Sequence, residues 1–192
     1  MRKVTYSLGM SLDGYTMDAD GRFDWGTPSD EVFRHSIEEV KGVGVHLMGR
    51  NLYETMLYWE DDTEREQPFD ALEREWADLW NPLPKVVFSH TLDSVRGAAR
   101  LAEGSLADEI AVLRADDGAG DIAIGGPTLA AEAARLGLID EYLIRIVPVL
   151  VGGGTPFFVH EQRRVDLELI DSRTFANGWV HLRYAVVRPD AG

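Results

Sequence analysis

The sequence predicts a single α/β domain with a mixed, mostly parallel central sheet and a C-terminal antiparallel hairpin. Segments with β and helical periodicity alternate along the chain without an internal repeat or a low-complexity linker, which is typical of α/β proteins. The 192 residues, 45% of them apolar, are enough for one compact core. Two long β-rich segments close the chain around Asn177-Gly178, a strong hairpin signal.

The first elements are a buried strand and an amphipathic helix. The strand is predicted from Val4 to Leu12 and stops at Asp13-Gly14, a turn dipeptide. Apolar residues then recur at helical spacing between Asp30 and Lys41, which predicts the helix. Ser29 or Asp30 is available to cap it.

The second strand is predicted at Val43–Met48, and Gly49-Arg50-Asn51 leads from it into a helix at Leu52–Tyr58. A very acidic stretch follows. Its apolar residues hold helical spacing, so we expect part of it to pack as a helix with a solvated outer face. These apolar residues are Phe69, Leu72, Trp76 and Leu79.

Another strand–helix–strand–helix run follows. Strands are predicted at Lys85–Ser89 and Asp121–Ile124, with a helix at Leu106–Leu113 between them. Pro127 is well placed for the first turn of the next helix.

Three β segments complete the chain. Asp140–Val151 is apolar but contains Pro148, which indicates an edge position or a bulge. Val165–Phe175 and Trp179–Arg188 form the hairpin, and the alternating apolar face of the second segment is predicted to be core.

Composition excludes several classes of protein. The formal charge of −14 and the absence of a basic patch argue against nucleic-acid binding. Ten acids against two arginines lie between positions 54 and 78, so more than half of the excess is local. The longest uncharged run, 146–160, is broken by prolines and glycines and predicts no membrane span. We therefore expect a soluble cytoplasmic protein that does not bind membranes.

Side-chain chemistry excludes further classes. The chain has no Cys and no Gly-x-Ser-x-Gly elbow, which argues against thiolate metal sites and a hydrolase. The histidines at 35, 46, 160 and 181 are scattered without ligand spacing, so no metal site is predicted.

Two junctions share one design, in which a strand ends, glycine appears and a helix begins. They are Met48-Gly49-Arg50-Asn51 and Ile124-Gly125-Gly126-Pro127-Thr128. Glycine lets an anion approach the backbone, and a helix N-terminus attracts phosphate, so two junctions at one sheet edge would suit a pyrophosphate. The alternative is that the glycines only turn the chain.

These motifs resemble the dihydrofolate reductase superfamily. Leu47–Thr55 is similar to its strand-to-helix motif, Val86–His90 to its next strand, and Ile122–Gly126 to its glycine pair. Ser11-Leu12-Asp13-Gly14 and Gly126-Pro127-Thr128-Leu129 bring the resemblance closer to the reductase domain of the bifunctional riboflavin-biosynthesis deaminase-reductase. The resemblance implies a three-layer, dihydrofolate-reductase-like domain.

It also implies NADPH lying across the carboxyl ends of the strands. Gly49, Arg50, Asn51 and Leu52 would hold one side of the pyrophosphate, and Gly125, Gly126, Pro127, Thr128 and Leu129 the other. Arg50, Ser89 and His90 match positions that contact the adenosine ribose and its 2′-phosphate, and Gly9, Thr16 and Met17 match positions near the nicotinamide. The implied reaction is hydride transfer to a small substrate, and a compound similar to 5-amino-6-(5-phosphoribosylamino)uracil is one candidate.

Three residues are candidates for the substrate side: Asp13, Trp25 and Asp30. Trp25 and Asp30 have the spacing that dihydrofolate reductase uses for its pterin-binding acid, so a buried Asp30 carboxylate could bind a heterocycle and support its protonation. The alternative is that Asp30 caps the helix after it. For Asp13, a turn with Gly14 is the favoured interpretation.

The chain departs from these families at three positions. Ser7 stands where the riboflavin branch usually has lysine, and Ile124 where it has glutamate, both expected around the substrate pocket. Leu52 replaces a threonine of the dihydrofolate reductase motif. The two pocket departures, Ser7 and Ile124, keep a rival open, a nucleotide-binding protein that has lost turnover. The related reductases and the C-terminal hairpin also suggest a homodimer.

Overall fold

The computed structural model describes residues 1–60, 67–158 and 164–188. Ten strands are present in the described chain: β1 Val4–Ser11, β2 Tyr15–Met17, β3 Val43–Gly49, β4 Lys85–Phe88, β5 Ala99–Leu101, β6 Asp121–Gly125, β7 Glu141–Val147, β8 Thr155–Pro156, β9 Leu167–Thr174 and β10 Val180–Val186. The α-helices within the same residues are α1 Asp30–Val40, α2 Arg50–Met56, α3 Ala71–Trp80, α4 Leu106–Ala115 and α5 Pro127–Arg135. Short 3₁₀ turns occupy Asp24–Gly26 and Leu57–Trp59.

Eight strands form one sheet in the order β5-β4-β3-β6-β1-β7-β10-β9. The pairs from β5 to β7 are parallel, and β10 is antiparallel to both β7 and β9. The predicted mixed, mostly parallel sheet with a terminal hairpin is therefore confirmed. A second, two-stranded sheet pairs β2 with β8, and the sequence did not predict it.

Helices cover both faces of the large sheet. Leu47 and Val86 pack into a core cluster with α4 and α5, whereas Met48 and Val87 pack into a second cluster with α2 and α3. Because successive residues of a strand point to opposite faces, these neighbours show that the two clusters lie on opposite sides of the sheet. The structure thus has the three layers that the resemblance implied.

The hairpin turns where the sequence predicts. Gly178 has φ of +84°, and its N–H donates to the Phe175 carbonyl at 2.9 Å, while the Trp179 N–H donates to the side chain of Asn177 at 3.2 Å. Glycine adopts this φ without the steric penalty that other residues meet. The apolar face of β10 packs partly buried against the core, as expected, through Leu182, Tyr184 and Val186.

The interpretation of Pro148 is wrong. The predicted strand 140–151 ends at Val147, before the proline, and β7 is an interior strand between β1 and β10. Proline lacks the N–H that a ladder needs, so here it ends the strand instead of marking an edge or a bulge.

A buried lysine holds the end of α3. Lys85 is 3% exposed, and its Nζ donates to the carbonyl oxygens of Trp80, Asn81 and Leu83 at 2.6, 3.3 and 2.9 Å. The Trp80 and Asn81 carbonyls lie at the C-terminal end of α3, where a cation is favoured, and Leu83 lies just beyond it. The helix begins with a capping box at Asp70, so part of the acidic stretch is helical as predicted, while residues 61–66 lie outside the described chain.

Among the helices of the described ranges, none combines the length and apolar character that crossing a bilayer requires.

Candidate functional site

The two glycine junctions lie side by side. β3 and β6 are parallel neighbours, and Met48 is in register with Gly125, so both strands reach their carboxyl ends at the same place. Gly49 is the N-cap residue of α2, and Gly126 is that of α5, with Pro127 as the first helical residue. The shared sheet edge that a pyrophosphate would need is therefore present.

Side-chain packing and backbone conformation explain two of the three glycines at these junctions, Gly125 and Gly126. A Cβ at Gly125 would overlap Leu52 Cδ2 and His46 Cε1, and Gly126 has φ of +88°, which strains any other residue. Gly49 is different. Its φ and ψ of −81° and 170° suit any residue, and no atom lies within 4 Å of the position a Cβ would take. A glycine at an N-cap is mildly favourable, but neither packing nor backbone conformation requires one here.

The neighbouring strand β4 ends beside Arg50. The Arg50 guanidinium donates to Thr91 Oγ1 at 2.9 Å and to Glu54 Oε1 at 2.7 Å. Ser89 Oγ accepts hydrogen bonds from the backbone N–H groups of Thr91 and Leu92, both at 3.1 Å, and His90 is exposed. Arg50 thus lies beside the segment after β4 that carries Ser89 and His90. Thr91 was not singled out in the sequence.

A cleft of about 520 Å³ lies between α1 and the sheet. Three of the predicted cofactor residues line it: Gly9, Leu52 and Gly125. Thr16 and Met17 do not, and the Thr16 hydroxyl donates to the Thr155 carbonyl at 3.1 Å between β2 and β8. The remaining predicted residues lie outside the lining, and among them the side chain of Leu129 is buried in the core.

Both interpretations of Asp30, as the substrate-binding acid and as the helix cap, are wrong. Its side chain is exposed and does not line the cleft, so the buried acid expected at this position is not found there. It is not the cap either, because Ser29 is the N-cap residue and accepts a hydrogen bond from the Val32 N–H at 3.5 Å. Asp30 is the first helical residue, where a negative charge is favourable.

The other two substrate candidates have structural contacts. Trp25 packs against a small cluster that contains Val147 and Trp179. The Asp13 carboxylate accepts hydrogen bonds from the N–H groups of Val151 and Gly152 at 3.2 and 2.8 Å, and a hydrogen bond with Ser11 does most to lower its pKa. Gly14, with φ of +93°, makes the predicted turn.

Glu39 lines the cleft, together with Glu38 and Asp121, and is the one of the three that bonds Arg145. It lies seven residues after Val32 on the inward face of α1, and its Oε2 accepts from Arg145 Nη2 at 3.0 Å. The same guanidinium donates to Ser7 Oγ at 3.0 Å, so Ser7 does lie at the pocket as expected. Ile124 does not, because it is fully buried on the other face of the sheet. A glutamate at a helical position otherwise reserved for apolar residues is the signal that could have identified Glu39.

Two histidine environments were also missed. His46 lines the cleft on β3, and burial followed by the nearby Lys85 charge lowers its pKa from 6.5 to about 4. His35 and His181 pack with ring centroids 4.5 Å apart and lie beside Glu39. The view of these histidines as scattered is therefore wrong for this pair, since tertiary structure joins residues 146 positions apart. His160 lies outside the described residues.

The architecture defines the class of protein, one with a dihydrofolate-reductase-like fold. The chain is similar in structure to dihydrofolate reductase from Enterococcus faecalis, solved with NADP(H), with a TM-score of 0.62, 16% identity and 97% of each chain covered. At this identity, the likeness establishes the fold.

Sequence similarity assigns the chain to a narrower family within this fold. Residues 2–181 match the RibD C-terminal domain, and the chain belongs to that family. It is similar to a putative riboflavin biosynthesis protein from Shewanella sp. PV-4, with a TM-score of 0.75 and 26% identity over 98% of this chain and 100% of the other. It is also 27% identical to the uncharacterized protein YyaP of Bacillus subtilis (strain 168), over 95% of this chain and 94% of that one. The family and the fold support a reductase-like function.

Proposed function

We propose that this protein is an NADPH-dependent reductase that transfers a hydride to a small heterocyclic substrate, pyrimidine- or pterin-like, or to a carbonyl or imine group. The observation that carries the proposal is Gly49. It lies at the shared edge of the two junctions, and no internal contact or backbone strain explains it. Space left free beside a helix-capping backbone is what the approach of a phosphate needs.

The residues around this edge suit a dinucleotide. The N-terminus of α5, with Gly126 before it, offers unpaired N–H groups to a pyrophosphate oxygen. Arg50, next to Ser89 and His90, offers a cation and hydrogen-bonding groups to a 2′-phosphate. A bound nicotinamide would supply the hydride, and the chain would orient it toward the cleft beneath α1.

Glu39, Arg145 and Ser7 form a hydrogen-bonded polar group in that cleft. Their hydrogen bonds fix the carboxylate and the guanidinium relative to each other, so both can position a polar heterocycle. Glu39 replaces Asp30 as the acid in this proposal, because Glu39 lines the cleft and Asp30 does not.

Titration with NADPH and NADH tests the cofactor site. Trp59, Trp76 and Trp80 line the cleft, so quenching of their fluorescence, or energy transfer from them, reports binding. Arg50→Gln should weaken NADPH about ten-fold and NADH much less, because only NADPH carries the 2′-phosphate. Arg164→Gln, an exposed arginine at the start of the distant β9 segment, is the control. Equal losses for both cofactors would refute the assignment of Arg50.

The rival is a nucleotide-binding protein without turnover. Ser7 favours it, since the position that carries lysine in the riboflavin branch holds a hydroxyl already bonded to Arg145. Ile124 gives it no support, because that residue packs in the core. NADPH oxidation assays with pyrimidine, pterin and quinone substrates separate the two. Binding without oxidation across the panel would favour the rival, and absence of NADPH binding would refute both.

We also propose that the protein forms a homodimer. β9 is an edge strand of the large sheet and is exposed along its whole length, including Leu167, Leu169 and Ile170. An exposed edge with apolar side chains is suited to pairing with a second copy of the chain. Light scattering that shows a monomer at micromolar concentration would refute it.

A further inference from the structure

We propose that His35, Glu39 and His181 form a binding site for a divalent transition-metal ion of the zinc type. One nitrogen of each imidazole and one carboxylate oxygen lie within 4.8 Å of one another. His35 and Glu39 are four residues apart on α1 and so share one face of the helix, while His181 reaches them from β10.

Each of the three side chains has a buried polar atom without a hydrogen-bond partner. His35 Nε2, Glu39 Oε1 and His181 Nδ1 are buried and have no hydrogen-bond partner in the structure. His181 is 2% exposed, so water offers it little compensation. A buried polar atom without a partner destabilises the fold, so three side chains that each carry one and meet in a cluster indicate a ligand that would compensate.

The donor set matches a known coordination chemistry. Two imidazoles and one carboxylate are a ligand set of catalytic zinc sites, which keep a fourth position for water or substrate. Neighbouring ligands in such a shell lie about 3.3 Å apart, given bonds of about 2.0–2.1 Å. Glu39 Oε1 and His181 Nε2 are 3.8 Å apart, so modest side-chain rotations would close the shell.

The surroundings supply outer contacts. The second oxygen of Glu39 accepts a hydrogen bond from Arg145, which also holds Ser7, and ligating carboxylates usually carry such a bond. The Arg145 charge opposes a dication, so we expect weaker binding than at structural zinc sites. Burial comes first in lowering the pKa of both histidines, which keeps the imidazoles in the neutral form that binds metal.

Such an ion would lie at the wall of the cleft, because Glu39 lines it. The proposed metal site does not depend on NADPH binding, since none of its three residues belongs to the glycine junctions or to the group formed by Arg50, Ser89 and His90. Metal binding and cofactor binding can therefore fail separately.

Titration of metal-free wild-type protein with Co²⁺, followed by displacement with Zn²⁺, tests the proposal. We expect one equivalent of Co²⁺ to give the visible absorption of a low-symmetry N/O site, and Zn²⁺ to abolish it. Glu39→Gln and His35→Gln should each lower the affinity by more than about ten-fold, since even loss of an outer contact costs that much. Glu38→Gln, which removes the adjacent exposed carboxylate of α1, should bind as the wild type does.

If a variant fails to fold, the titration of the wild-type protein alone tests the proposal. Weak binding of several equivalents without the Co²⁺ spectrum would show only the attraction of an acidic surface and would overturn the proposal. Equal affinities for Glu39→Gln, Glu38→Gln and the wild type would overturn it as well.

Discussion

Gly49→Ala separates a fold requirement from a cofactor requirement. Alanine tolerates the φ and ψ of −81° and 170°, and its methyl group meets no atom within 4 Å. Replacing glycine by alanine at an N-cap costs roughly 0.5–1 kcal/mol, which lowers the Tm of a chain this long by about 1–4 °C. The free protein should therefore stay folded.

NADPH affinity should fall much further than stability. The methyl group fills the space through which a phosphate would approach the backbone, and the loss of one hydrogen bond to a charged group costs about 1.5–3 kcal/mol. This corresponds to a Kd about ten- to a hundred-fold higher. Fluorescence titration measures the Kd, and thermal unfolding measures the stability.

Gly42→Ala provides the matched control. Gly42 precedes the same strand at its other end, where it lines the cleft away from the glycine junctions, and its Cβ would make an ordinary 3.5 Å contact with the Glu39 carbonyl. This variant should bind NADPH as the wild type does. A wild-type Kd for Gly49→Ala, in a protein shown to be folded, would refute the assignment of this edge to the pyrophosphate.

Two further predictions concern stability. Lys85→Met removes the ammonium that bonds three carbonyl oxygens at and just beyond the end of α3, so calorimetry should show a loss of about 3 kcal/mol, or a Tm lower by roughly 6–12 °C. Lys41→Met, whose lysine makes only exposed ion pairs, should cost less than about 1 kcal/mol, and equal effects would contradict the capping role. The pKa of His46 is about 4 in the folded state and 6.5 ordinarily, so the unfolded chain binds the extra proton and stability should fall by up to about 3 kcal/mol from pH 6.5 to 4. Urea unfolding of His46→Gln should lack this part of the decline, and parallel pH profiles would contradict it.

The order of strands and helices could be predicted because it depends on local signals. Period-two and helical spacing report which side chains leave water, and Asn177-Gly178 reports a backbone that tolerates positive φ. Element boundaries followed the same signals to within a few residues, as for α1 and β6. The short strands β2, β5 and β8 were missed, since two or three residues carry too little periodicity to be recognised.

Asp30 and Glu39 show where local reasoning fails. The spacing from Trp25 pointed to Asp30, but the rotation of α1 against the sheet turns Glu39 inward and leaves Asp30 exposed. That rotation is set by the packing of Val32, Ile37 and Val40, and not by the residues near Asp30. The sequence contains both carboxylates, but only the orientation of α1 shows that Glu39, and not Asp30, reaches the cleft.

The sequence by itself determined the α/β class, the hairpin and two glycine junctions, since each depends on residues close together in the chain. Tertiary structure alone decided that Met48 and Gly125 stand in register and that His35 and His181 meet at Glu39. The physical reason is that sheet register and helix rotation are set by packing summed over the whole core. No single segment contains that information.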